Sequence, residues 1–323
     1  MKRKFFKILL IVLGVLLIGV GALLVYVKTA LPDVAEAPDI RIRATPESIE
    51  RGKYLANHVM VCMDCHSKRD WTLFSAPPVI GTVGMGGEVF DQKMGFPGKY
   101  IAPNITPAAL SDWTDGELLR AISTGVSRDG RALFPIMPYH NFGKLDETDI
   151  RAVIAYIRTL TPVKNKTGVS ESDFPMNFII NTMPEKARFK PIPDTAQTLS
   201  YGRYLVTAAG CYDCHTKQEK GKFTGADFAG GMEFHFPDGS ITRSPNITPH
   251  ESGIGNWNRE QFISRFKAYG DSNYAARKIT PGMFQTPMPW TMYAGMKDRD
   301  LRAIFEYLKS VPAIDNNVER FSR

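Results

Sequence analysis

Two short motifs in this sequence place two thiols and an imidazole where they could act on one group. The first is Cys-Met-Asp-Cys-His at residues 62–66, and the second is Cys-Tyr-Asp-Cys-His at residues 211–215. Together they contain all four cysteines of the chain. Such a motif can be half of a zinc site, a thioredoxin-type redox pair or a covalent attachment site for haem. The surrounding sequence has to decide among these three kinds of site.

Only one of these alternatives uses both thiols and the histidine. A four-thiolate zinc site would leave the histidine after each cysteine pair without a role. A thioredoxin-type disulfide is expected beside alternating strands and helices, which this sequence does not show. Covalent haem uses all three residues, because the thiols add across the two vinyl groups and the histidine binds the iron. The motifs therefore predict two haem c groups, held by Cys62, Cys65 and His66 and by Cys211, Cys214 and His215.

The sequence around each motif is also present twice. Gly-x-Tyr-Leu precedes each motif, at Gly52 and at Gly202, and Pro-Asn-Ile-Thr-Pro follows each, at 103–107 and 245–249. An apolar helical pattern then closes each copy, "DIRAVIAYIR" in the first and "DLRAIFEYLK" in the second. Two copies about 150 residues apart indicate a duplicated domain and not a solenoid, whose repeats are much shorter.

Each haem iron needs a ligand on its second face, and methionine is the best candidate in both copies. Met137-Pro138 and Met288-Pro289 stand at equivalent places before the last helix of each copy. We therefore predict Met137 as the partner of His66 and Met288 as the partner of His215. Met283 lies close to Met288 in sequence and stays an alternative for the second iron.

The periodicity of each copy predicts helices separated by long loops. Apolar residues at i, i+3, i+4 and i+7 indicate an amphipathic last helix in both copies. Gly52 and Gly202 interrupt the first helix of each copy, which indicates that the last helix, bearing Tyr156 or Tyr307, approaches closely there. We expect an all-α fold with two tandem domains. The expected ranges are 45–163 for domain 1, 164–194 for a connector and 195–323 for domain 2.

The N-terminal region predicts a membrane anchor. Ile8 to Val27 contains no charged residue and is long enough to cross a bilayer as a helix. Four basic residues precede this segment and Lys28 follows it, so the positive-inside rule places the N-terminus in the cytoplasm. We expect an uncleaved anchor at 1–28 and a stalk at 29–44. The expected location is the bacterial cytoplasmic membrane, with a single pass and the haem domains in the periplasm.

The charge of the chain argues against one class of partner. The net charge is +7, but outside the first 28 residues there are 35 basic and 33 acidic residues. A nucleic-acid-binding surface would need clustered basic residues, and this remainder offers no such cluster. Nucleic acid is therefore not expected as a partner.

Several longer motifs resemble a known family. Gly-Gly-x-x-Phe at 86–90 and 230–234, the Asn-Ile-Thr-Pro runs and "ALFPIMPY" at 132–139 occur in the family's order. The chain resembles the class I c-type cytochrome domains of the cytochrome subunits of periplasmic alcohol, aldehyde and gluconate dehydrogenases. This resemblance implies that Trp113 and Trp257 lie near a haem edge. The chain departs from those subunits in having two haem motifs, where they commonly have three, and in its N-terminal anchor.

These observations predict an electron carrier and not an enzyme. We expect a dihaem cytochrome c that transfers electrons between a dehydrogenase or quinol-oxidising complex and a terminal oxidase or another acceptor. A dihaem peroxidase is an alternative, but it would need an iron with an open position. A second alternative is a subunit that carries electrons inside a larger respiratory complex.

Overall fold

The computed structural model describes residues 2–323 and begins with one long helix. Helix α1, Lys2–Thr29, is long and apolar enough to cross a membrane, and none of its residues is buried by the rest of the protein. The chain after α1 then runs along the first half of the molecule, by which we mean the half that contains the first cysteine motif. The backbone N–H of Ile42 donates to Asp115 Oδ2 at 2.8 Å, and Ile40 and Ile42 pack against the apolar core. The predicted stalk is therefore attached to the first half.

The remaining helices are short and follow the same order in both halves. In the first half they are α2 (Pro46–Tyr54), continued by a π-helical turn (Leu55–Val59), α3 (Cys62–Cys65), α4 (Pro107–Leu110), α5 (Asp115–Thr124), α6 (Tyr139–Phe142) and α7 (Glu147–Ile157). Helix α8 (Met176–Ile179) lies between the halves. In the second half they are α9 (Thr198–Ala208), α10 (Cys211–His215), α11 (Arg259–Lys267), α12 (Trp290–Tyr293) and α13 (Asp298–Ser310).

The first and last helices of each half pack closely at a glycine, as the sequence predicts. A Cβ atom at Gly52 of α2 would lie 1.8 Å from the carbonyl oxygen of Ala152 in α7. A Cβ atom at Gly202 of α9 would lie 2.1 Å from the carbonyl oxygen of Ala303 in α13. Cβ atoms of Tyr156 and Tyr307 are the next neighbours at these two positions. The prediction of close helix approach is confirmed in both halves.

Capping residues set where several helices begin. Thr45 caps α2 in a capping box, with Pro46 in the first turn. Thr114 with Glu117 caps α5, and Asn258 with Gln261 caps α11 in the same reciprocal way. Each capping partner lies three residues after its cap, so nearby sequence sets where each of these helices begins.

The all-α expectation is not confirmed, because the loops contain short strands. They are β1 (Val89–Phe90), β2 (Gly98–Ile101), β3 (Glu171–Ser172), β4 (Gln218–Glu219), β5 (Lys222–Phe223), β6 (Glu233–His235), β7 (Ile241–Arg243) and β8 (Phe321–Ser322). They form two antiparallel three-stranded sheets, β1-β2-β3 and β6-β7-β8, and one hairpin, β4-β5. Strands of two to four residues are too short to produce a detectable alternation of apolar and polar residues.

The chain after the last helix of each half returns to that half's sheet. Strand β3 pairs with β2, and β8 pairs with β7, also antiparallel. Asn104 Nδ2 donates to the carbonyl oxygen of Val163, and Asn246 Nδ2 donates to that of Ile314. Residues 164–172, which we expected in the connector, therefore pack on the first half in the way that the C-terminal residues pack on the second. The assignment of two tandem domains stays a prediction.

The two halves contact each other through a reciprocal pair of tyrosines. Tyr54 of α2 donates to Asp300 Oδ2 at 2.6 Å, and Tyr204 of α9 donates to Asp149 Oδ2 at 2.6 Å. Each tyrosine is the Tyr of a Gly-x-Tyr-Leu motif, and each aspartate lies in the first turn of the other half's last helix. Both aspartates are buried. This exchange relates the halves by an approximate twofold arrangement.

Candidate haem-attachment sites

Each cysteine motif folds into one helical turn after a residue with positive φ. Val61 (φ 46°) precedes α3, and Gly210 (φ 63°) precedes α10. Residues three apart on a helical turn lie on one face, so the two thiols of each pair face the same way. Cys62, Cys65 and Cys211 are partly buried and Cys214 is exposed, and all four are free thiols.

The histidine of each motif is held by one ring nitrogen, which leaves the other nitrogen available. His66 Nδ1 lies 2.8 Å from the carbonyl oxygen of Pro103, and His215 Nδ1 lies 2.9 Å from that of Pro245. A carbonyl can only accept, so Nδ1 carries the proton and Nε2 keeps its lone pair. A hydrogen bond from the nitrogen that does not bind the metal is the usual way in which a metal-binding histidine is oriented.

Burial also keeps these histidines neutral. It lowers the pKa of His66, and it lowers the pKa of His215 to about 4. The proline carbonyl acts in the opposite direction in both cases, by a smaller amount. A neutral imidazole is the form that binds a metal.

A glycine loop lies against each histidine. The backbone N–H of Gly86 donates to the carbonyl oxygen of His66 at 2.9 Å, and that of Gly230 donates to the carbonyl oxygen of His215 at 2.7 Å. Both glycines have positive φ. A Cβ atom at Gly86 would lie 2.4 Å from the carbonyl carbon of Pro103, and one at Gly230 would lie 2.4 Å from that of Pro245. The two recurring motifs therefore form one support for the histidine. Sequence reasoning noticed both motifs but missed this role, although their repetition beside each cysteine pair was the available signal.

The cysteine environment does not favour the zinc or redox alternatives. Burial raises the pKa of the Cys62, Cys65 and Cys211 thiols to about 12, whereas zinc binding and disulfide exchange both use the thiolate. Within residues 2–323, no three His, Cys, Asp or Glu side chains are grouped so that they could hold a metal ion. Thioether formation with haem uses both thiols of a pair and leaves the iron to the histidine, so the residues present fit covalent haem.

The structure distinguishes the two methionine candidates of the second half. Met137 and Met288 are partly buried and pack against the apolar core. Met283 is exposed, with 36% of its surface accessible. Met288 is therefore better placed than Met283 to face a buried group. The role of Met137 and Met288 as iron ligands stays a prediction.

A serine of the first half holds the methionine loop of the second. Ser75 Oγ donates to the carbonyl oxygen of Met288 at 2.5 Å and accepts from the N–H of Trp290 at 3.1 Å. The N–H of Ser75 donates to Gln285 Oε1 at 2.8 Å. Ser75 is buried and has φ 67°, a conformation that non-glycine residues seldom adopt. Nothing in the local sequence signals this contact.

Two further contacts reach from the region of a cysteine motif in one half to the methionine region of the other half. Asp213, inside the second cysteine motif, accepts from Asn141 Nδ2 at 2.6 Å and lies 3.2 Å from His140 Nε2. His58 Nδ1 lies 2.9 Å from the carbonyl oxygen of Met292. His58 and His140 therefore belong to the contact between the halves.

Tyr293 lies beside the second cysteine motif. Its hydroxyl donates to the carbonyl oxygen of Ala209 at 2.6 Å. Burial raises its pKa well above the usual range, and Cys211, Cys214 and Cys65 raise it further. The contacts of Asp213, His58 and Ser75 with the other half place both candidate attachment sites beside the contact between the halves.

The first motif has a buried ionic cluster that the second motif lacks. Arg69 Nη1 donates to Asp64 Oδ2 at 2.8 Å and Arg69 Nη2 to Glu88 Oε1 at 2.9 Å. Trp71 Nε1 also donates to Glu88, at 2.6 Å. Asp213, the counterpart of Asp64, instead contacts the other half. The two attachment sites are therefore alike at the histidine and different at the residue between the cysteines.

The two tryptophans occupy equivalent places before α5 and α11. Trp113 and Trp257 are partly buried and pack against the apolar core. Arg158 donates to the carbonyl oxygen of Trp113 at 2.5 Å and to Asp115 Oδ1, which attaches the Trp113 loop to α7. Their place near a haem edge stays a prediction.

Comparison with known proteins agrees with this site. Residues 199–312 match the Cytochrome c family. The chain is 26% identical to the alcohol dehydrogenase (quinone) cytochrome c subunit of Gluconobacter oxydans, over 82% of this chain and 55% of that protein. It is 27% identical to the gluconate 2-dehydrogenase cytochrome c subunit of Pantoea cypripedii, over 87% of this chain and 63% of that protein. It is also 27% identical to a diheme cytochrome c-type protein of Cereibacter sphaeroides, over 79% and 83% of the two chains.

The match to the dehydrogenase subunits covers only part of those proteins. The chain spans about 55–63% of the length of the first two relatives. Both of these relatives are named as the cytochrome c subunit of a dehydrogenase. The part of the chain that matches the Cytochrome c family lies in the second half, and the whole chain is similar to bacterial cytochrome c subunits.

Proposed function

We propose that this protein is a membrane-anchored dihaem cytochrome c that transfers electrons for a dehydrogenase. The observation that carries the proposal is the duplicated site, in which a proline carbonyl holds Nδ1 of His66 or His215 and leaves Nε2 available beside a cysteine pair. Bound haem would supply one-electron transfer. The dehydrogenase relatives support a dehydrogenase as partner.

The chain would contribute attachment, orientation and exclusion of water. Cys62 and Cys65 would hold one haem and Cys211 and Cys214 the other, each through two thioether bonds. His66 and His215 would supply one axial nitrogen each, and Met137 and Met288 one axial sulfur each. Histidine–methionine ligation raises the reduction potential, so both centres would work at the high-potential end of a respiratory chain.

The location follows from α1 and the direction of its flanking charges. Helix α1 would span the bacterial cytoplasmic membrane once, with Lys2, Arg3, Lys4 and Lys7 on the cytoplasmic side. The haem-binding halves would then lie in the periplasm. Electrons would enter from a dehydrogenase or quinol-oxidising complex and leave to a terminal oxidase or another cytochrome.

The haem content can be counted directly. The mass of the denatured protein should exceed that of the chain by two haem groups. Replacing Cys62 and Cys65 by alanine should remove one group, and replacing Cys211 and Cys214 should remove the other. A mature protein with free thiols and no covalent haem would contradict the proposal.

The partner can be sought by purification in mild detergent. We expect a dehydrogenase subunit to co-purify and its substrate to reduce the haems. A high-spin haem in the wild-type protein that turns over peroxide would instead favour the peroxidase alternative.

A further inference from the structure

The short helix between the halves lies at the end of the membrane-spanning helix. Lys28 Nζ donates to the carbonyl oxygen of Asn177 in α8 at 2.7 Å. The same ammonium group lies 5.0 Å from the centre of the Phe178 ring. The apolar run of α1 ends at Val27, so Lys28 marks the level at which the hydrocarbon layer ends. Helix α8 is therefore at the depth of the membrane surface.

The side chains around α8 expose apolar surface at this level. Phe174 is 79% exposed and Ile179 is 42% exposed. The Phe174 and Phe178 rings pack edge to face at 6.4 Å, so the exposed ring continues the surface that begins at Lys28. An exposed aromatic and aliphatic cluster is unfavourable in water and needs a covering surface.

Cationic side chains border this apolar surface. Lys28 lies on one side, and its charge would be close to lipid phosphate groups. Lys186, whose side chain is 61% exposed, lies 3.5 Å from Asp33 just beyond the end of α1. Apolar residues beside lysines are the composition of segments that lie in the membrane interface.

We propose that Phe174, Phe178 and Ile179, bordered by Lys28, form a second membrane contact, which we name the interfacial patch. Its occupant is the bilayer that α1 spans, because the patch is continuous with the end of that helix. The proposal relies on the proposed function only in taking α1 as an uncleaved anchor. With two attachment points, the protein would hold one fixed face toward the membrane and could not rotate freely on a stalk.

Lipid contact at the patch can be measured in the full-length, haem-loaded protein. We would replace Phe174 by cysteine, attach an environment-sensitive fluorophore, and reconstitute the protein in phosphatidylcholine vesicles with or without brominated acyl chains. Ile80→Cys, at a 99% exposed apolar position in the loop after His66, is the matched control. Quenching by the haems is the same in both kinds of vesicle and cancels in the ratio.

We expect brominated lipid to lower the fluorescence at position 174 by at least about twofold and to leave position 80 unchanged. Equal fluorescence at position 174 in the two kinds of vesicle would overturn the proposal and would mean that another protein covers the patch. Equal quenching at both positions would also overturn it, since the contact would not be specific to α8.

Two controls separate this test from the proposed function. The wild-type protein should take up no fluorophore, because haem would occupy all four native thiols. Labelling of the wild-type protein would contradict haem attachment. The protein should also stay with the vesicles in high salt, and its release would contradict the anchor.

Discussion

The ring of each predicted haem ligand, His66 and His215, is oriented by a backbone carbonyl. Pro103 and Pro245 accept from the Nδ1 atoms of His66 and His215, and Gly86 and Gly230 complete the support behind them. Met288, the predicted sulfur ligand of the second haem, is held through its own backbone by Ser75. The two sides of the second site are therefore positioned by residues that are far apart in the chain.

Met288→Ala should remove the sulfur ligand from the second haem only. We expect the near-infrared band of iron–sulfur ligation to fall to the level of one haem. The potential of the second haem should fall by on the order of 0.1 V or more, because the axial ligand is a main determinant of potential. Redox titration with absorbance spectroscopy would measure both. Met283→Ala is the control, and a loss of the band in that variant instead would assign the ligand to Met283.

Ser75→Ala should weaken methionine binding at the second haem and spare the first. The variant loses two hydrogen bonds to the Met288–Trp290 segment, and buried hydrogen bonds contribute about 1 kcal/mol each. The two bonds together contribute about 2 kcal/mol. The pH at which methionine is displaced from the second iron should therefore fall by about 1.5 units, since one pKa unit corresponds to about 1.4 kcal/mol. Thr72→Ala, in the same loop with its hydroxyl on Asp70, should change nothing. A change at the first haem alone would contradict this assignment.

At the scale of elements, helix pairs and reciprocal tyrosines build the frame around both sites. Helices α2 and α7 meet at Gly52, and α9 and α13 meet at Gly202. Tyr54 and Tyr204 then connect these pairs across the molecule. The same two motif residues, Gly and Tyr, therefore serve packing within a half and contact between the halves.

Gly202→Ala should destabilise the second half even though alanine favours helix. The new Cβ would lie 2.1 Å from the carbonyl oxygen of Ala303, so the two helices would have to separate. Overpacking of this kind costs about 1–3 kcal/mol, which outweighs a gain in helix propensity of about 1 kcal/mol. Denaturant unfolding would measure the difference. Arg203→Ala, at an exposed position of the same helix, should change the unfolding free energy by less than about 0.5 kcal/mol.

Tyr54→Phe should weaken the contact between the halves. It leaves the buried Asp300 with one tyrosine donor, Tyr201, instead of two. The expected cost is about 1–3 kcal/mol in unfolding free energy. Tyr307→Phe is the control, since the Tyr307 hydroxyl makes no hydrogen bond with any residue from 2 to 323. Equal stability of the two variants would show that the Tyr54 contact does not stabilise the native protein.

At the scale of the whole molecule, the halves hold their attachment sites next to each other. Ser75 and Asp213 each reach across to the methionine region of the other half. If both sites carry the proposed haems, this arrangement would suit electron transfer between them within one protein. The N-terminal stalk attaches to the first half through Ile42 and Asp115.

The ferric protein should show magnetic interaction between its two haems. Because the sites are neighbours, low-temperature EPR spectra should differ from the sum of two isolated low-spin signals. Variants that lack one cysteine pair supply the isolated signals for comparison. A spectrum equal to that sum would contradict the neighbouring arrangement.

The sequence alone determined the features that depend on residues close together in the chain. The Cys-x-x-Cys-His spacing places two thiols on one helical turn, and Thr45, Thr114 and Asn258 set helix starts through bonds to residues three positions away. The glycines at 52 and 202 were predictable because a glycine inside an amphipathic helix indicates a close neighbour. Local hydrogen bonding and periodicity are sufficient for these conclusions.

Only the tertiary structure decided how the halves share their sites. Ser75 and Met288 are separated by 213 residues, and His140 and Asp213 by 73, and neither pair has a pattern that announces it. The strands were missed because β1–β8 are two to four residues long, and β3 and β8 in addition pair with segments that are distant in the chain. Contacts of this kind depend on how packed helices bring loops together, and that geometry is not encoded in any short stretch of the chain.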